Sequence, residues 1–154
     1  MPPTKEEQIP VTPKVGVGLV VTKTDAGGRL QILMGRRRGA HSAGDWAVPG
    51  GHFDFGEEIE ATVRREVQEE CGPDLRFGDM KPLCISNVRA FLPDRHYLDL
   101  VFRAEWVSGE PQNMEPDKCE GWHWVYADEP PTPLSPFSGP MLEALATGKL
   151  VHEC

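Results

Sequence analysis

Between Gly56 and Gly72 the chain runs without glycine or proline, and the run closes on Gly72-Pro73. That punctuation predicts one helix from about Glu57 to Cys71, with Gly72 as a left-handed cap and Pro73 beyond it. Into its last turns this helix packs Glu66, Glu69 and Glu70. Local physics disfavours that placement. The negative end of the helix macrodipole costs each carboxylate about 0.3–1 kcal/mol, and the like-charged Glu66/Glu70 pair at i,i+4 adds roughly a few tenths more. A bound cation would reverse the sign.

Helical geometry sharpens the conflict. With Val63 at zero and about 100° per residue, Ile59 and Val67 fall near −40° and +40° and mark an inward stripe. Glu70 then falls near −20°, Glu66 near −60° and Glu69 near −120°, by the same roughly 100° step. Glu70 points into the apolar stripe and Glu66 lies on its border. An unpaired carboxylate there loses several kcal/mol to desolvation or takes up a proton. Glu57, Glu58 and Glu60 differ, because the dipole favours acids in a first turn. Rules broken in one place mark a functional site.

A hydrophobic share of 39% in 154 residues supports one good core and is too little chain for two ordinary domains. The expectation is a loose leader over residues 1–13 and one domain over 14–154. The leader carries Lys5, acids and prolines instead of an apolar segment, so it does not read as a signal peptide. The longest apolar stretch, Val15–Val21, is too short to span a bilayer. A cytoplasmic location without a membrane partner is expected. A net charge of −8 argues against gripping polymeric nucleic acid. It leaves room for small phosphorylated ligands held through metal ions on acidic residues, and an acidic cluster stands beside a small basic one, Arg36, Arg37 and Arg38. Cys71, Cys84, Cys119 and Cys154 show no CxxC spacing and read as free thiols, and no histidines stand at i,i+4 to suggest zinc.

Along the chain, Val15–Thr22 reads as a strand buried on both faces, joined by the turn Asp25–Gly28 to a strand at Leu30–Met34. A polar loop over Arg36–Asp45 leads through Trp46–Pro49 to Gly50-Gly51, where a ligand can approach the backbone closely. Further strands are expected at Lys81–Arg89, Tyr97–Val107 and Gly121–Val125, with Trp122 and Trp124 as core aromatics. A proline-rich connection over Asp128–Pro136 precedes a short helix at Pro140–Thr147.

Gly51, five residues, Glu57, seven residues, then Arg65-Glu66-Val67, Glu69-Glu70 and Gly72 form the Nudix box as it stands in this sequence. On these positions the chain resembles the Nudix hydrolases. One position departs, since Pro73 stands where the family usually has an aliphatic residue, and a changed exit from the helix is expected. The strings from Val48 to Glu57 and from Asn113 to Trp122 are similar to the cytosolic MutT-like nucleoside triphosphate hydrolases of animals and plants. The resemblance implies an α/β (α+β) fold with a mixed sheet sandwiched between helices. It also implies attack of water on a bridging phosphate.

Such phosphoryl transfer depends on charge neutralisation, which Mg²⁺ or Mn²⁺ supplies through oxygen ligands. By resemblance Glu66 and Glu70 are the principal ligands, with Glu69, the carbonyl of Gly50 or Gly51, and Glu120 as further ones. The general base is left open between Glu66 and Glu69. Arg65 is expected to orient a box glutamate more than to touch substrate. Arg36 and Arg37 either meet phosphates or form a solvated turn. His52 reads as a loop hydrogen bonder. Phe137 is placed to stack on a base, while Ser138 stands where the animal enzymes carry a second aromatic. Asp99 either reads a purine edge as an acceptor or is a solvated strand residue.

The expected function is a metal-dependent pyrophosphohydrolase of nucleoside triphosphates, oxidised or non-standard purines such as 8-oxo-dGTP included. The alternatives are hydrolysis of ADP-ribose, NADH or a dinucleoside polyphosphate, and a Nudix module that binds nucleotide without turnover. Decapping of mRNA is a minor option, because no extended basic, aromatic-studded segment is present. Resemblance alone suggests a homodimer.

Overall fold

The computed structural model describes residues 11–39 and 42–154. Most of the leader expected over residues 1–13, namely residues 1–10, lies outside the described residues.

The valine-rich segment forms β1 (Lys14–Thr24), whose Val17, Leu19, Val20 and Val21 are each 3% exposed or less. β-branched residues buried on both faces suit a central strand. The turn after it is built by Asp25, whose Oδ1 accepts from the N–H groups of Gly27 and Arg29, both at 2.9 Å. β2 (Leu30–Arg37) returns antiparallel to β1. β3 (Trp46–Ala47) pairs with β2, and β4 (Gly50–His52) pairs antiparallel with the first half of β1. After α1 (Ile59–Cys71) come β5 (Arg76–Phe77), β6 (Lys81–Val88), β7 (Tyr97–Ser108) and β8 (Cys119–Tyr126). α2 (Ser138–Thr147) and β9 (Val151–Glu153) complete the order. The sheet runs β3-β2-β1-β7-β6-β9, with β1 parallel to β7 and β6 parallel to β9, so it is mixed.

Two apolar clusters lie on the two faces of β1. Val17, Leu19 and Val21 pack with Val63, Val67 and Cys71 of α1, whereas Val20 packs with Met141 and Ala144 of α2. The alternation along β1 places one helix on each side, as the expected sandwich requires. Burial of side chains such as Val63 and Val67 contributes roughly 1.5–3 kcal/mol each.

α1 differs from expectation at both ends. It starts at Ile59, because Glu57 is used in the preceding turn, where its Oε1 accepts from the Asp54 N–H at 3.0 Å. Ile59 is 38% exposed, so the inward stripe runs Val63, Val67, Cys71. Gly72 has φ 85° and ψ 170°, a positive φ but not the left-handed helical conformation. Pro73 explains this, since the residue before proline is driven away from helical ψ toward extended values. Short β5 and β9 had no pattern long enough to be read from sequence.

Candidate active site

The helix end that local physics disfavours is completed from outside. The segment before β8 folds over it, so that the Gln112 N–H donates to Cys71 O at 2.8 Å and the Met114 N–H to Glu70 O at 3.3 Å. Trp122 Nε1 adds a second donor to Glu70 O at 3.0 Å. These bonds satisfy last-turn carbonyls that the helix leaves open. They also carry Glu115 into the acid cluster, where its charge raises the carboxyls of Glu66 and Glu70.

Glu70 turns its carboxyl toward β4, where Oε2 accepts from the Gly50 N–H at 3.3 Å. Among the described residues it forms no ion pair. Desolvation pushes its carboxyl up to about 8, helped by the charges of Glu66 and Glu115 and opposed by the Gly50 N–H and Arg37. Glu66 is also raised, first by desolvation and then by Glu69. Its side chain is 17% exposed and stands against Gly51 so closely that a Cβ there would overlap the carboxyl. Gly51 therefore serves close packing and not a positive φ.

Arg65 forms a hub. Its guanidinium donates to Glu57 Oε2 at 3.0 Å, Glu66 Oε1 at 3.1 Å and Glu69 Oε1 at 3.2 Å. These bonds, led by the one to Glu57, raise its already high value further. Glu57 is correspondingly held low by the Asp54 N–H and Arg65. The orienting role expected for Arg65 matches this geometry, and Glu57, read as needing no function, is its anchor.

One cleft of about 630 Å³ gathers most of the residues singled out by sequence. Glu66, Glu69, Glu70, Gly50, Gly51, Arg36, Arg37, Asp99 and Phe137 all line it, and Arg65 and Glu120 do not. Glu120 is drawn away by Arg36 at 3.5 Å and Arg38 at 3.9 Å. Glu115, overlooked in the sequence, lines the cleft instead, paired with Lys118 at 3.4 Å. The spacing from Glu115 to Trp122 offered a signal, since both belong to the segment that closes the helix end. Arg36 is committed to Gly44 O at 3.1 Å and to Glu120, which explains why a basic turn forms there. The Arg37 side chain has no partner among the described residues and lies near enough to lower Glu70.

The far end of the cleft lies on the α2 face of the sheet. Asp99, expected as either a base reader or a solvated residue, is 4% exposed, and desolvation raises its carboxyl to about 7. Solvation is thus the wrong description. Phe137 meets Tyr97 edge-on at 5.4 Å and Phe91 at 5.7 Å. Ser138 is occupied structurally, donating to Trp46 O at 3.0 Å. His52 packs its ring on Tyr97 at 6.0 Å. Trp122 and Trp124 are half-buried against the α1-side cluster. All four cysteines are free.

Among the described residues no three acidic, histidine or cysteine side chains already converge as a ligand set. The fit to a hard divalent cation rests on the chemistry of the donors. Glu70 is an enclosed carboxylate with one backbone donor, Glu66 and Glu115 repel it, and all are oxygen ligands. Among the described residues no helix is long and apolar enough to cross a membrane.

The NUDIX domain family model matches residues 12–145. A nucleoside triphosphatase NudI from Salmonella schwarzengrund is 31% identical over 93 residues, covering 56% of this chain and 64% of that protein. An RNA pyrophosphohydrolase from Caulobacter vibrioides is 27% identical over 143 residues, covering 84% and 81%. The chain spans less than two thirds of several relatives it matches, down to 18% of one. Among solved structures, a MutT NUDIX hydrolase from Burkholderia pseudomallei superposes with a TM-score of 0.77 at 32% identity, covering 88% of this chain and 99% of that one.

Proposed function

The chain belongs to the NUDIX family, whose hydrolases act on phosphoanhydride bonds, and from that premise we propose that it is a divalent-cation-dependent pyrophosphohydrolase of nucleoside triphosphates. Its products are a monophosphate and pyrophosphate, and its substrates include oxidised or non-standard purines. One observation carries the reading. The enclosed carboxylates Glu66 and Glu70 open on the same cleft as Asp99 and Phe137, so a phosphate-handling end and a base-sized end share one slot.

Glu66, Glu70 and Glu115 are the residues that would hold Mg²⁺ or Mn²⁺, with the Gly50 or Gly51 carbonyl beside them. The cation supplies neutralisation of charge on the phosphates. Arg65 holds both acids, and Glu66 is favoured over Glu69 as the acceptor of the water proton because its side chain is 17% exposed against 54% and desolvation raises its carboxyl. Arg37 meets the phosphates, and Arg65 positions Glu66. The net charge of −8 supports a small nucleotide over a polymer, and with the free thiols it suits the cytoplasm. Residues 14–154 act as one unit, and dimerisation is open to measurement by light scattering.

A second cavity of about 560 Å³ shares Arg37, Arg95, Tyr97 and Phe137 with the cleft. It favours, as the second reading, a nucleoside diphosphate carrying another bulky group, such as ADP-ribose, NADH or a dinucleoside polyphosphate. A Mg²⁺-dependent screen of nucleoside triphosphates, 8-oxo-dGTP, ADP-ribose and NADH, resolved by chromatography, separates the two. Monophosphate with pyrophosphate supports the first. Cleavage of ADP-ribose or NADH without triphosphate turnover overturns it and supports the second.

A further inference from the structure

Asp99 is an anomaly that the phosphate chemistry does not use. It sits on β7 between Gly16 of β1 and Ser86 of β6 in the sheet register. It is 4% exposed and lines the cleft. Among the described residues no side chain or charge is paired with its carboxyl, and because no fully enclosed side-chain oxygen lacks a partner, its oxygens reach the cleft. Ser86, equally buried, turns its hydroxyl to Cys84 Sγ at 4.0 Å. An unpaired buried carboxylate is costly, and an apolar residue in its place would relieve that cost. A carboxylate so placed is open to a donor that enters the cleft.

The surroundings are shaped to admit one. A Cβ on Gly16 would come 3.0 Å from Asp99 Oδ1, and a Cβ on Gly18 would come 3.3 Å from Met141 Cε. Two missing side chains on the same face of β1 keep a slot open beside the carboxyl. Tyr97, Phe137 and Met141 supply apolar walls around it, as a flat heterocycle needs.

We infer that Asp99 selects the nucleobase, and that the base it takes presents two adjacent hydrogen-bond donors on one edge, as the ring N–H and exocyclic amino group of a guanine-type purine do. The inference deepens the triphosphatase reading and rests on it for the identity of the ligand. An ionised carboxylate only accepts, and its two oxygens match a pair of parallel donors. An adenine or cytosine edge sets a ring acceptor beside one donor, so one carboxylate oxygen faces a lone pair. A uracil edge sets one donor between two acceptors and fares no better. In a buried slot such mismatches are strongly rejected, because the polar atoms have no water to turn to.

Asp99→Asn converts the acceptor pair into one acceptor and one donor with almost no change of shape. The test is equilibrium binding of GMP and AMP, by calorimetry at about pH 8.5, above the value to which burial raises Asp99. The wild type is expected to prefer GMP by at least about tenfold, and Asp99→Asn to lose GMP affinity and gain AMP affinity until the order reverses. A guanine-to-adenine ratio unchanged by the substitution overturns the inference. If Asp99→Asn does not fold, inosine monophosphate carries the test on the wild type. Lacking the amino donor, it should bind at least about tenfold more weakly than GMP, and equal binding overturns the inference. These measurements need no turnover. A reversed ratio in a protein that cleaves only ADP-ribose or NADH therefore upholds the role of Asp99 while rejecting the triphosphatase reading.

Discussion

Gly51 lacks a side chain because the Glu66 carboxyl occupies the space where its Cβ would stand. A strand residue and a helix residue are thus fitted to each other, and the position of the acid depends on that fit.

Gly51→Ala should displace Glu66 and with it the charge arrangement of the site. The displacement is expected to lower kcat by about a hundredfold, with a stability loss of about 1–3 kcal/mol from overpacking. Steady-state kinetics beside a denaturant melt check both. Unchanged kcat would mean that the location of Glu66 is unimportant to the reaction.

Glu115 and Glu120 are separated by five positions and differ in fate. Both are ion-paired, Glu115 with Lys118 at 3.4 Å and Glu120 with Arg36 and Arg38, but only Glu115 lines the cleft and acts by its charge on Glu66 and Glu70. Glu115→Gln is expected to weaken Mg²⁺ activation by about tenfold or more, and Glu120→Gln to leave it within about threefold. Mg²⁺ titration of the rate distinguishes them, and the reverse ranking would restore Glu120 as the cation's partner.

Arg65 bonds three glutamates at once, a geometry suited to a planar fork and not to a point charge. Arg65→Lys should therefore lower kcat by roughly tenfold or more with little change in KM, as expected of a residue that positions Glu66. Arg37→Ala should do the opposite, raising KM with kcat largely kept. A matched rise in KM in both variants would place Arg65 on the substrate.

Asp99 gives the fold a pH dependence of its own. Its carboxyl rises from an ordinary 3.8 to about 7 on folding, so between those values the native chain holds the extra proton. Stability from this group therefore falls as pH rises across that window, by an amount on the order of a few kcal/mol, and levels off above it. The nearby thiols Cys84 and Cys154 are pushed up by burial from 9.0 and stay neutral throughout. Asp99→Asn should melt higher than the wild type by a margin that grows with pH up to about 7. A margin independent of pH would show that the carboxyl is already paired or hydrated.

Much of this site was legible because glutamates in a helix's last turns violate a local rule that depends only on spacing. Glu66, Glu70 and the glycines of β4 follow from that pattern and the resemblance built on it. Glu115 was not legible, since it reaches the cluster through tertiary bonds from Gln112, Met114 and Trp122 to the helix end. The ion pairs of Glu120 with Arg36 and Arg38 were not legible either, because they depend on the pairing of β2 with β8. The burial of Asp99 followed neither from its residue type nor from its strand. It comes from α2 covering that face of the sheet, with β1 and β6 flanking β7 on either side. The start of α1 was misplaced by two residues because Glu57 was better used by Asp54 and Arg65 than by the helix.

The proposed cation-dependent cleavage of nucleoside triphosphates turns on the enclosed carboxylate of Glu70. The most direct measurement follows release of monophosphate and pyrophosphate from a guanine-type triphosphate, with and without Mg²⁺, in the wild type and in Glu70→Gln. Mg²⁺-dependent release of both products is expected from the wild type. A loss of at least about a hundredfold is expected in the variant, whose fold, relieved of a buried charge, melts no lower without metal. Undiminished release by Glu70→Gln, or no release by the wild type, would overturn the proposed site.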